Sequence, residues 1–296
     1  MTEPVNQDQA ELWNGRSGSA WVDNRAMLDR MFVPLAAFLI DRANEVARQV
    51  PSGRALDVGC GTGGTTLALS QALGNTWQVT GADISAPMIA EARARSSPRS
   101  PSSPSSHGGT PIEFVRADAQ THAFPPAHFD LAVSRLGVMF FDDPVAAFAN
   151  LRAACRPGAW LHMLAWRSPA ENPFMTVAER AAKPLLPDLP ARRPGAPGQF
   201  GFAERMRVED IMASSGWTNV SLTPVHFECS FAQADLRDYA SRLGPVGLAL
   251  AGLAPAERER VVDRLVEAYA PFVANGEVRF TAACWHLSAR APAASR

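Results

Sequence analysis

A glycine-rich stretch in the first quarter of the chain constrains its fold more than any other feature. The sequence ALDVGCGTGGTT, residues 55–66, follows a short apolar run and precedes a helical pattern. Gly59, Gly61 and Gly63 permit a tight turn with the backbone close to a ligand, and the helix behind them offers free N–H groups. We therefore predict a strand, a turn and a helix that bind a ligand together.

Strand and helix patterns alternate on both sides of this turn. The predicted strands are 54–58, 77–82, 112–116, 129–134, 160–166, 220–231 and 278–288. The predicted helices are 36–50, 65–73, 87–95, 144–155, 207–215 and 257–273, the fourth capped by Asp143 and stopped by Pro157-Gly158. This alternation is typical of an α/β fold with a parallel sheet, whose ligands bind beyond the carboxyl ends of the strands.

Two segments depart from the alternation. Residues 96–109 (SSPRSPSSPSSHGG) contain nothing apolar to bury, and we predict a disordered surface loop there. Residues 168–205 are rich in Pro, Gly and Arg, which predicts an irregular cap inserted into the fold. We expect the remaining parts to be an N-terminal helical region at 1–50, a ligand-binding core at 51–167 and a C-terminal part of the core at 206–296.

Composition argues against several classes of protein. Net charge is −1 at pH 7, so no bulk electrostatic field attracts nucleic acid or an anionic membrane. None of the four cysteines forms a C-x-x-C pair, and we predict no metal site. The first twenty residues lack the apolar core of a signal peptide, and no apolar run is long enough to span a bilayer, so we expect a cytoplasmic protein.

Three acidic residues end three consecutive predicted strands. Asp57 lies two residues before Gly59, where a negative charge suits a cationic ligand and not a pyrophosphate. A carboxylate at Asp83 can accept ribose hydroxyls, and one at Asp118 can accept from the exocyclic amine of adenine while Ala119 N–H pairs with a ring nitrogen. Each acid alone also fits a structural role as a loop cap, a helix N-cap or a turn residue. Together they favour an adenosine-containing cation.

The same glycines permit a second interpretation. Gly59, Gly61 and Gly64 satisfy G-x-G-x-x-G, a pattern that also occurs in enzymes that bind nicotinamide dinucleotides. Asp57 and Asp118 have no evident role in that reading. An NAD(P)-dependent oxidoreductase therefore remains as the less favoured alternative.

These motifs resemble those of class I S-adenosylmethionine (SAM)-dependent methyltransferases, particularly the small-molecule branch related to ubiquinone and menaquinone biosynthesis methyltransferases. The matching stretches are LDVGCGTG at 56–63, GADIS at 81–85, VRADA at 115–119, HFDLAVS at 128–134 and the run at 142–161. The resemblance covers about residues 50–166. It implies a Rossmann-like doubly wound sheet of seven strands with the last antiparallel, which the pattern at 278–288 fits.

The resemblance implies SAM as the cofactor and gives roles to individual positions. Asp83 would bind the ribose, Ile84 and Met88 would pack near the adenine, and Ser134 would lie beneath the methionine portion. The full set of implied cofactor-binding residues is Asp57, Gly59, Cys60, Gly61, Asp83, Ile84, Met88, Asp118, Ala119 and Ser134. The resemblance also implies that the helices within 1–50 form a lid over the cofactor.

Residues after the fourth and fifth strands should border a small organic acceptor. The expected pocket residues are Trp13, Trp21, Met139, Phe140 and Trp166. Arg135 would orient an anionic or carbonyl-bearing acceptor, and His226 is a candidate base. A surface ion pair for Arg135 and core packing for the aromatic residues are equally consistent with the sequence.

The expected function is SAM-dependent methyl transfer by in-line displacement, in which the protein aligns the reactants and excludes water. A catalytically silent SAM-fold binding protein is the first alternative. The acceptor, the methylated atom and the oligomeric state are left open.

Overall fold

The computed structural model describes residues 6–97 and 112–293 of the chain. Its strands are β1 (Gly53–Val58), β2 (Trp77–Asp83), β3 (Ile112–Arg116), β4 (Phe129–Arg135), β5 (Cys155–Trp166), β6 (Thr218–Ala232), β7 (Val273–Ala274) and β8 (Glu277–Arg290). They form one sheet in the order β3-β2-β1-β4-β5-β8-β6, with β7 paired to β8. The first five strands are parallel, and β8 runs antiparallel between β5 and β6.

This topology confirms the predicted Rossmann-like sheet with an antiparallel last strand. It differs from the expected seven strands by the two-residue β7, which makes the described sheet eight-stranded. Asn275 and Gly276 join β7 to β8 with positive φ angles of 53° and 78°. Two consecutive positive φ values at an Asn-Gly pair are typical of the type I′ hairpin turn, so the local sequence explains this extra strand.

The helices that the structure describes are α1 (Gln7–Asn14), α2 (Arg16–Asp23), α3 (Arg25–Met31), α4 (Val33–Ala47), α5 (Gly64–Leu73), α6 (Ala86–Ser96), α7 (Pro144–Ala154), α8 (Pro173–Ala182), α9 (Arg205–Ser214), α10 (Leu236–Arg242), α11 (Gly244–Leu250) and α12 (Pro255–Ala268). Within the described ranges, none is both long and apolar enough to cross a membrane.

The start of α7 is as predicted. Asp143 Oδ1 accepts a hydrogen bond from Ala146 N at 2.9 Å, and Pro144 occupies the first helical turn. The helix ends at Ala154, however, and β5 begins at the next residue. Pro157-Gly158 therefore lies inside a strand and does not stop the helix.

Other segments differ from the sequence-based expectation. Residues 168–205 are not irregular throughout, because α8 forms there and packs Phe174 against Phe280 with ring centroids 4.0 Å apart. The helices α10 and α11 were not predicted. Ser96 ends α6, and residues 98–109 of the expected disordered loop lie outside the described part of the chain.

Helices cover both faces of the sheet, and alternate residues of β4 show the two layers. Leu131 and Val133 pack in one cluster with Leu69 of α5. Ala132 belongs to a second cluster on the opposite face. Each fully buried Leu or Val stabilises the fold by about 1.5–3 kcal/mol, so the strand ends are held firmly. Asp57 and Arg135 share the parity of Leu131 and therefore face the α4 and α5 side.

Candidate cofactor and acceptor site

The turn between β1 and α5 folds back onto β2. The N–H groups of Gly59 and Cys60 both donate to Ala82 O, at 2.8 and 3.1 Å. Three glycines of the turn have positive φ angles, of 68° at Gly59, 55° at Gly61 and 84° at Gly63. Residues with a side chain rarely adopt this backbone conformation. The predicted glycine turn is therefore present, at the carboxyl end of the sheet's central strands.

A further glycine, which the sequence reasoning missed, completes this turn. A Cβ on Gly59 would lie 2.8 Å from Gly137 Cα, and one on Gly137 would lie 2.8 Å from Val58 O. The two backbones thus meet at the ends of β1 and β4. Ser134 fixes this approach, since its Oγ donates to Val58 O at 2.7 Å and accepts from Gly137 N at 3.2 Å. A glycine three residues after the end of a predicted strand was the signal available in the sequence.

The remaining two glycines serve packing. A Cβ on Gly63 would lie 2.9 Å from the ring of Phe114 in β3, so a side chain would separate α5 from the sheet. A Cβ on Gly64 would lie 2.5 Å from Asp29 Oδ1 of α3. Gly64, which completes the G-x-G-x-x-G pattern, thus makes room for an N-terminal helix.

Asp57 is a buried carboxylate with one unsatisfied oxygen. Only 1% of the residue is exposed, and Oδ2 accepts a hydrogen bond from Thr66 Oγ1 at 2.7 Å. Oδ1 has no partner among the described residues. Burial raises the pKa of Asp57 to about 7, although the Thr66 hydroxyl opposes the shift. Buried polar atoms are rarely left unpaired, so this oxygen fits a ligand that brings a cationic donor.

Asp83 connects the end of β2 to the glycine turn. Its Oδ2 accepts from Gly61 N and its Oδ1 accepts from Ser85 N, each at 2.8 Å. Burial raises the pKa of Asp83, and these two backbone donors oppose the shift. Ser85 is the N-cap of α6, so the alternative role of Asp83 as that cap is not observed. Each oxygen keeps a lone pair for a ligand hydroxyl.

Three further residues of the implied cofactor set surround this turn. Met88 Sδ lies 3.6 Å from the position of a Cβ on Gly61, so this side chain packs directly on the turn. Ile84 follows Asp83, and its carbonyl accepts from Asn14 Nδ2 at 3.2 Å. Cys60 is buried in a small cluster between α6 and β3, and burial raises the pKa of its thiol.

Asp118 is tied into its own turn. Oδ1 accepts from Gln120 N at 2.9 Å, and Oδ2 lies 3.5 Å from Thr121 Oγ1. Ala119 is buried, and its carbonyl accepts from Asn150 Nδ2 at 2.9 Å. This geometry matches the turn-residue alternative for Asp118, and recognition of the adenine edge by these two residues stays a prediction.

The N-terminal helices are attached to the β2–α6 junction. Ser85 Oγ donates to Trp13 O at 2.6 Å, and Ala86 N donates to Asn14 Oδ1 at 2.8 Å. An ion pair of 2.8 Å joins Asp29 of α3 to Arg95 of α6. The helices predicted to act as a lid therefore lie beside Asp83. Asp29 and Asn14 had no recognisable signal in the sequence, because their roles arise from tertiary packing alone.

The five expected pocket residues fall into two aromatic groups. In the first, the ring of Trp13 contacts Trp21 and Phe140, with centroids 6.2 and 5.0 Å away. In the second, Met139 Sδ accepts from Trp166 N at 3.3 Å, and Trp166 contacts Phe32 with centroids 6.2 Å apart. Phe32, at the end of α3, was missed by the sequence reasoning.

The two candidate catalytic residues lie in different surroundings. The Cζ of Arg135 lies 5.7 Å from the ring centre of Phe32, on the same sheet face as Asp57. His226 is exposed on β6, and its Nε2 lies 3.3 Å from Arg167 Nη1. The neighbouring Phe227 points to the opposite face. The structure does not bring His226 together with Arg135, so its role as a base stays a prediction.

No group of three His, Cys, Asp or Glu side chains in the described part of the chain is arranged to hold a metal ion.

Residues 56–163 match a family described as a methyltransferase domain. Among curated proteins, the chain is 33% identical over 119 residues to the aklanonic acid methyltransferase DauC of a Streptomyces species, covering 40% of this chain and 49% of DauC. It is 29% identical over 145 residues to the ubiquinone/menaquinone biosynthesis C-methyltransferase UbiE of Shewanella halifaxensis, covering 49% of this chain and 55% of UbiE. The chain thus spans about half the length of these two relatives, and 63% of others that match it.

The fold also occurs in solved structures. YcgJ of Bacillus subtilis superposes with a TM-score of 0.53 at 15% identity, covering 87% of this chain and 97% of that chain. The family match covers the residues that carry the glycine turn and the strand-end acids. It confirms the resemblance drawn from the sequence, including the cofactor of that family, SAM. The matched family is one of methyltransferases and not of oxidoreductases, so the nicotinamide alternative loses its support.

Proposed function

We propose that this chain, whose residues 56–163 form a class I SAM-dependent methyltransferase domain, transfers a methyl group from SAM to a small organic acceptor. The observation that carries the proposal is the unsatisfied Oδ1 of Asp57 beside the glycine turn. An anionic oxygen in a buried, partly polar site complements the ammonium of SAM. A pyrophosphate would be repelled there.

Each residue of the site has a proposed task in holding the cofactor. Asp57 accepts from the ammonium, and Asp83 accepts from the ribose hydroxyls while its backbone bonds hold it in place. Met88 and Ile84 pack beside the adenine. Gly59 and Gly137 let the ends of β1 and β4 approach closely, and Ser134 maintains that approach. When bound, SAM supplies an electrophilic methyl group on a sulfonium.

The remaining residues shape the acceptor side. We assign Trp13 and Phe140, whose rings are in contact, to one side of the acceptor and Trp166 to another, because aromatic faces attract a sulfonium through cation–π interaction. The N-terminal helices exclude water from this space. Alignment of the acceptor with the methyl group then supplies the main catalytic effect, and a base is needed only for an acceptor that arrives protonated.

The small size of the acceptor is supported by the two named relatives. DauC is named for aklanonic acid and UbiE for ubiquinone and menaquinone biosynthesis, and both names refer to small organic molecules. The net charge of −1 gives no reason to expect nucleic acid as the acceptor.

A methyl-transfer screen tests this proposal. The protein is incubated with SAM carrying a deuterated methyl group and a panel of phenolic, quinone-type and polyketide-type small molecules. Mass spectrometry then follows the labelled product and S-adenosylhomocysteine (SAH). We expect labelled product and SAH in equal amounts, both lost in Asp57→Asn. Binding of SAM without any turnover across the panel would favour the silent binding protein instead.

A further inference from the structure

Arg135 is a desolvated cation without a protein partner. The residue is partly buried at the end of β4, and desolvation lowers the pKa of its guanidinium. No hydrogen bond or ion pair joins this group to any residue in 6–97 or 112–293. An arginine remains charged under these conditions, and the partly desolvated guanidinium of Arg135 keeps its N–H donors unused. A ligand that supplies an anion would accept from these donors.

The sheet register places Arg135 beside the cofactor turn. Asp57 of β1 pairs with Val133 of β4, and Arg135 lies two residues further along the same face. The charges of Asp57 and Arg135 are close enough for each to shift the other's pKa. Two opposite charges, neither fully satisfied, therefore border the same end of the sheet.

The neighbours of Arg135 leave the guanidinium available to a ligand. Asp29 is the acid whose charge affects the pKa of Arg135 most, but it already forms an ion pair with Arg95 at 2.8 Å. Phe32 lies against the guanidinium with a centroid distance of 5.7 Å, which restricts its movement without satisfying its N–H groups. Cys229 of β6 is buried, and burial raises the pKa of its thiol to about 12, so it supplies no anion to Arg135.

We propose that Arg135 binds a carboxylate group of a ligand at this site. The inference rests on the proposed function and deepens it, because two ligands of that function can bring a carboxylate. The first is the cofactor, whose methionine end carries an ammonium and a carboxylate that complement Asp57 and Arg135 as a pair. The second is the acceptor. A guanidinium suits either carboxylate, since its planar N–H groups can bind both oxygens.

Calorimetric titration distinguishes the two sources. SAH and its decarboxylated analogue, which retains the ammonium, are titrated into the wild-type protein, Arg135→Met, Arg135→Lys and the control Arg258→Met, which changes an exposed arginine of α12. If the cofactor is the source, wild type prefers SAH by about tenfold or more, Arg135→Met removes this preference and Arg258→Met keeps it.

A second titration covers the acceptor. Benzoate and the uncharged benzamide are titrated into the complex with SAH. If the acceptor is the source, benzoate binds the wild-type complex more tightly than benzamide, and Arg135→Met abolishes the difference. Circular dichroism and thermal melting establish that each variant folds, and we expect Arg135→Met to be at least as stable as wild type, because it removes an unpaired charge.

The titrations test the role of Arg135 and the proposed function separately. Loss of either preference in Arg135→Met supports carboxylate binding by Arg135. The assignment is wrong if a folded Arg135→Met prefers the carboxylate ligand in both titrations as wild type does. It is also wrong if wild type itself prefers the carboxylate ligand in neither titration. Failure of wild type to bind SAH at all would overturn the proposed function itself.

Discussion

Thr66 satisfies only one of the two carboxylate oxygens of Asp57. Its Oγ1 donates to Asp57 Oδ2 at 2.7 Å, while Oδ1 has no partner in the part of the chain that the structure describes. The hydroxyl holds the carboxylate in one orientation and leaves a single acceptor for a ligand. This arrangement leads directly to two predictions about how pH controls cofactor binding.

The affinity for SAH should fall as the pH decreases below 7. The pKa of Asp57 is raised by burial to about 7, and the cationic ammonium of the ligand binds only the ionised carboxylate. Affinity should therefore decrease by up to about tenfold per pH unit below that pKa. Calorimetry between pH 5.5 and 7.5 measures this, with 5′-methylthioadenosine, which lacks the ammonium, as the control ligand. An equally steep profile in Asp57→Asn would contradict the account.

Removing the Thr66 hydroxyl should move that profile to higher pH. The hydrogen bond from Thr66 lowers the pKa of Asp57, so Thr66→Val should raise it further. A hydrogen bond to a charged group contributes about 1.5–3 kcal/mol, which corresponds to a midpoint shift of about one pH unit or more. Thr66→Ser keeps the hydroxyl and should leave the midpoint in place. An unshifted midpoint in a folded Thr66→Val would show that another group governs the pH dependence.

The cofactor side of this site was predictable from the sequence, and the lid side was not. Asp57, Asp83 and the glycine turn follow from local strand-turn-helix patterns, and the structure places them together. Asp29 and Phe32 carry no such signal, because their helix reaches the site only by packing onto α5 and α6. The helix α8 was hidden within a segment rich in Pro and Gly, where composition outweighed the helical spacing.

Gly64→Ala should loosen the N-terminal helices. The added Cβ would lie 2.5 Å from Asp29 Oδ1, so the Asp29 carboxylate would have to shift and strain the ion pair that joins α3 to Arg95 of α6. The apparent affinity for SAH is proportional to the fraction of molecules whose N-terminal helices are packed on α5 and α6. If that fraction falls to about 10%, the affinity should fall by about tenfold. Hydrogen exchange across residues 7–31 and calorimetry measure the two effects. Gly252→Ala is the matched control, since the neighbour nearest to its added Cβ would be Ala249 O at 3.8 Å. Unchanged exchange in Gly64→Ala would contradict this role of Asp29.

A pair of histidines outside the site should make the stability of the fold sensitive to mild acidification. His162 Nδ1 and His286 Nε2 lie 3.2 Å apart, and burial lowers their pKa values to about 3 and about 4. Histidines in the unfolded chain bind protons near pH 6.5, so unfolding takes up protons between pH 6.5 and 4.

The two histidines should therefore lower the free energy of unfolding as pH falls through that range, each by up to about 1.4 kcal/mol per pH unit. Asp57 and Asp83 act in the opposite direction, because burial raises their pKa values. Urea unfolding at a series of pH values measures the slope. His286→Phe retains a ring against Phe38, whose ring centroid lies 4.9 Å from that of His286 in the wild-type protein. The variant should remove one histidine contribution, which lowers the slope by up to about 1.4 kcal/mol per pH unit. An unchanged slope in this variant would assign the acid sensitivity to other groups.

The most direct test of the central claim is calorimetric titration of the protein with SAM, SAH and NADH, repeated on Asp83→Ala. Asp83 joins the glycine turn to α6 through its bonds to Gly61 N and Ser85 N. The account predicts binding of both adenosyl ligands, loss of that binding in the variant and no binding of NADH. Binding of NADH alone would contradict methyl transfer and indicate hydride transfer instead.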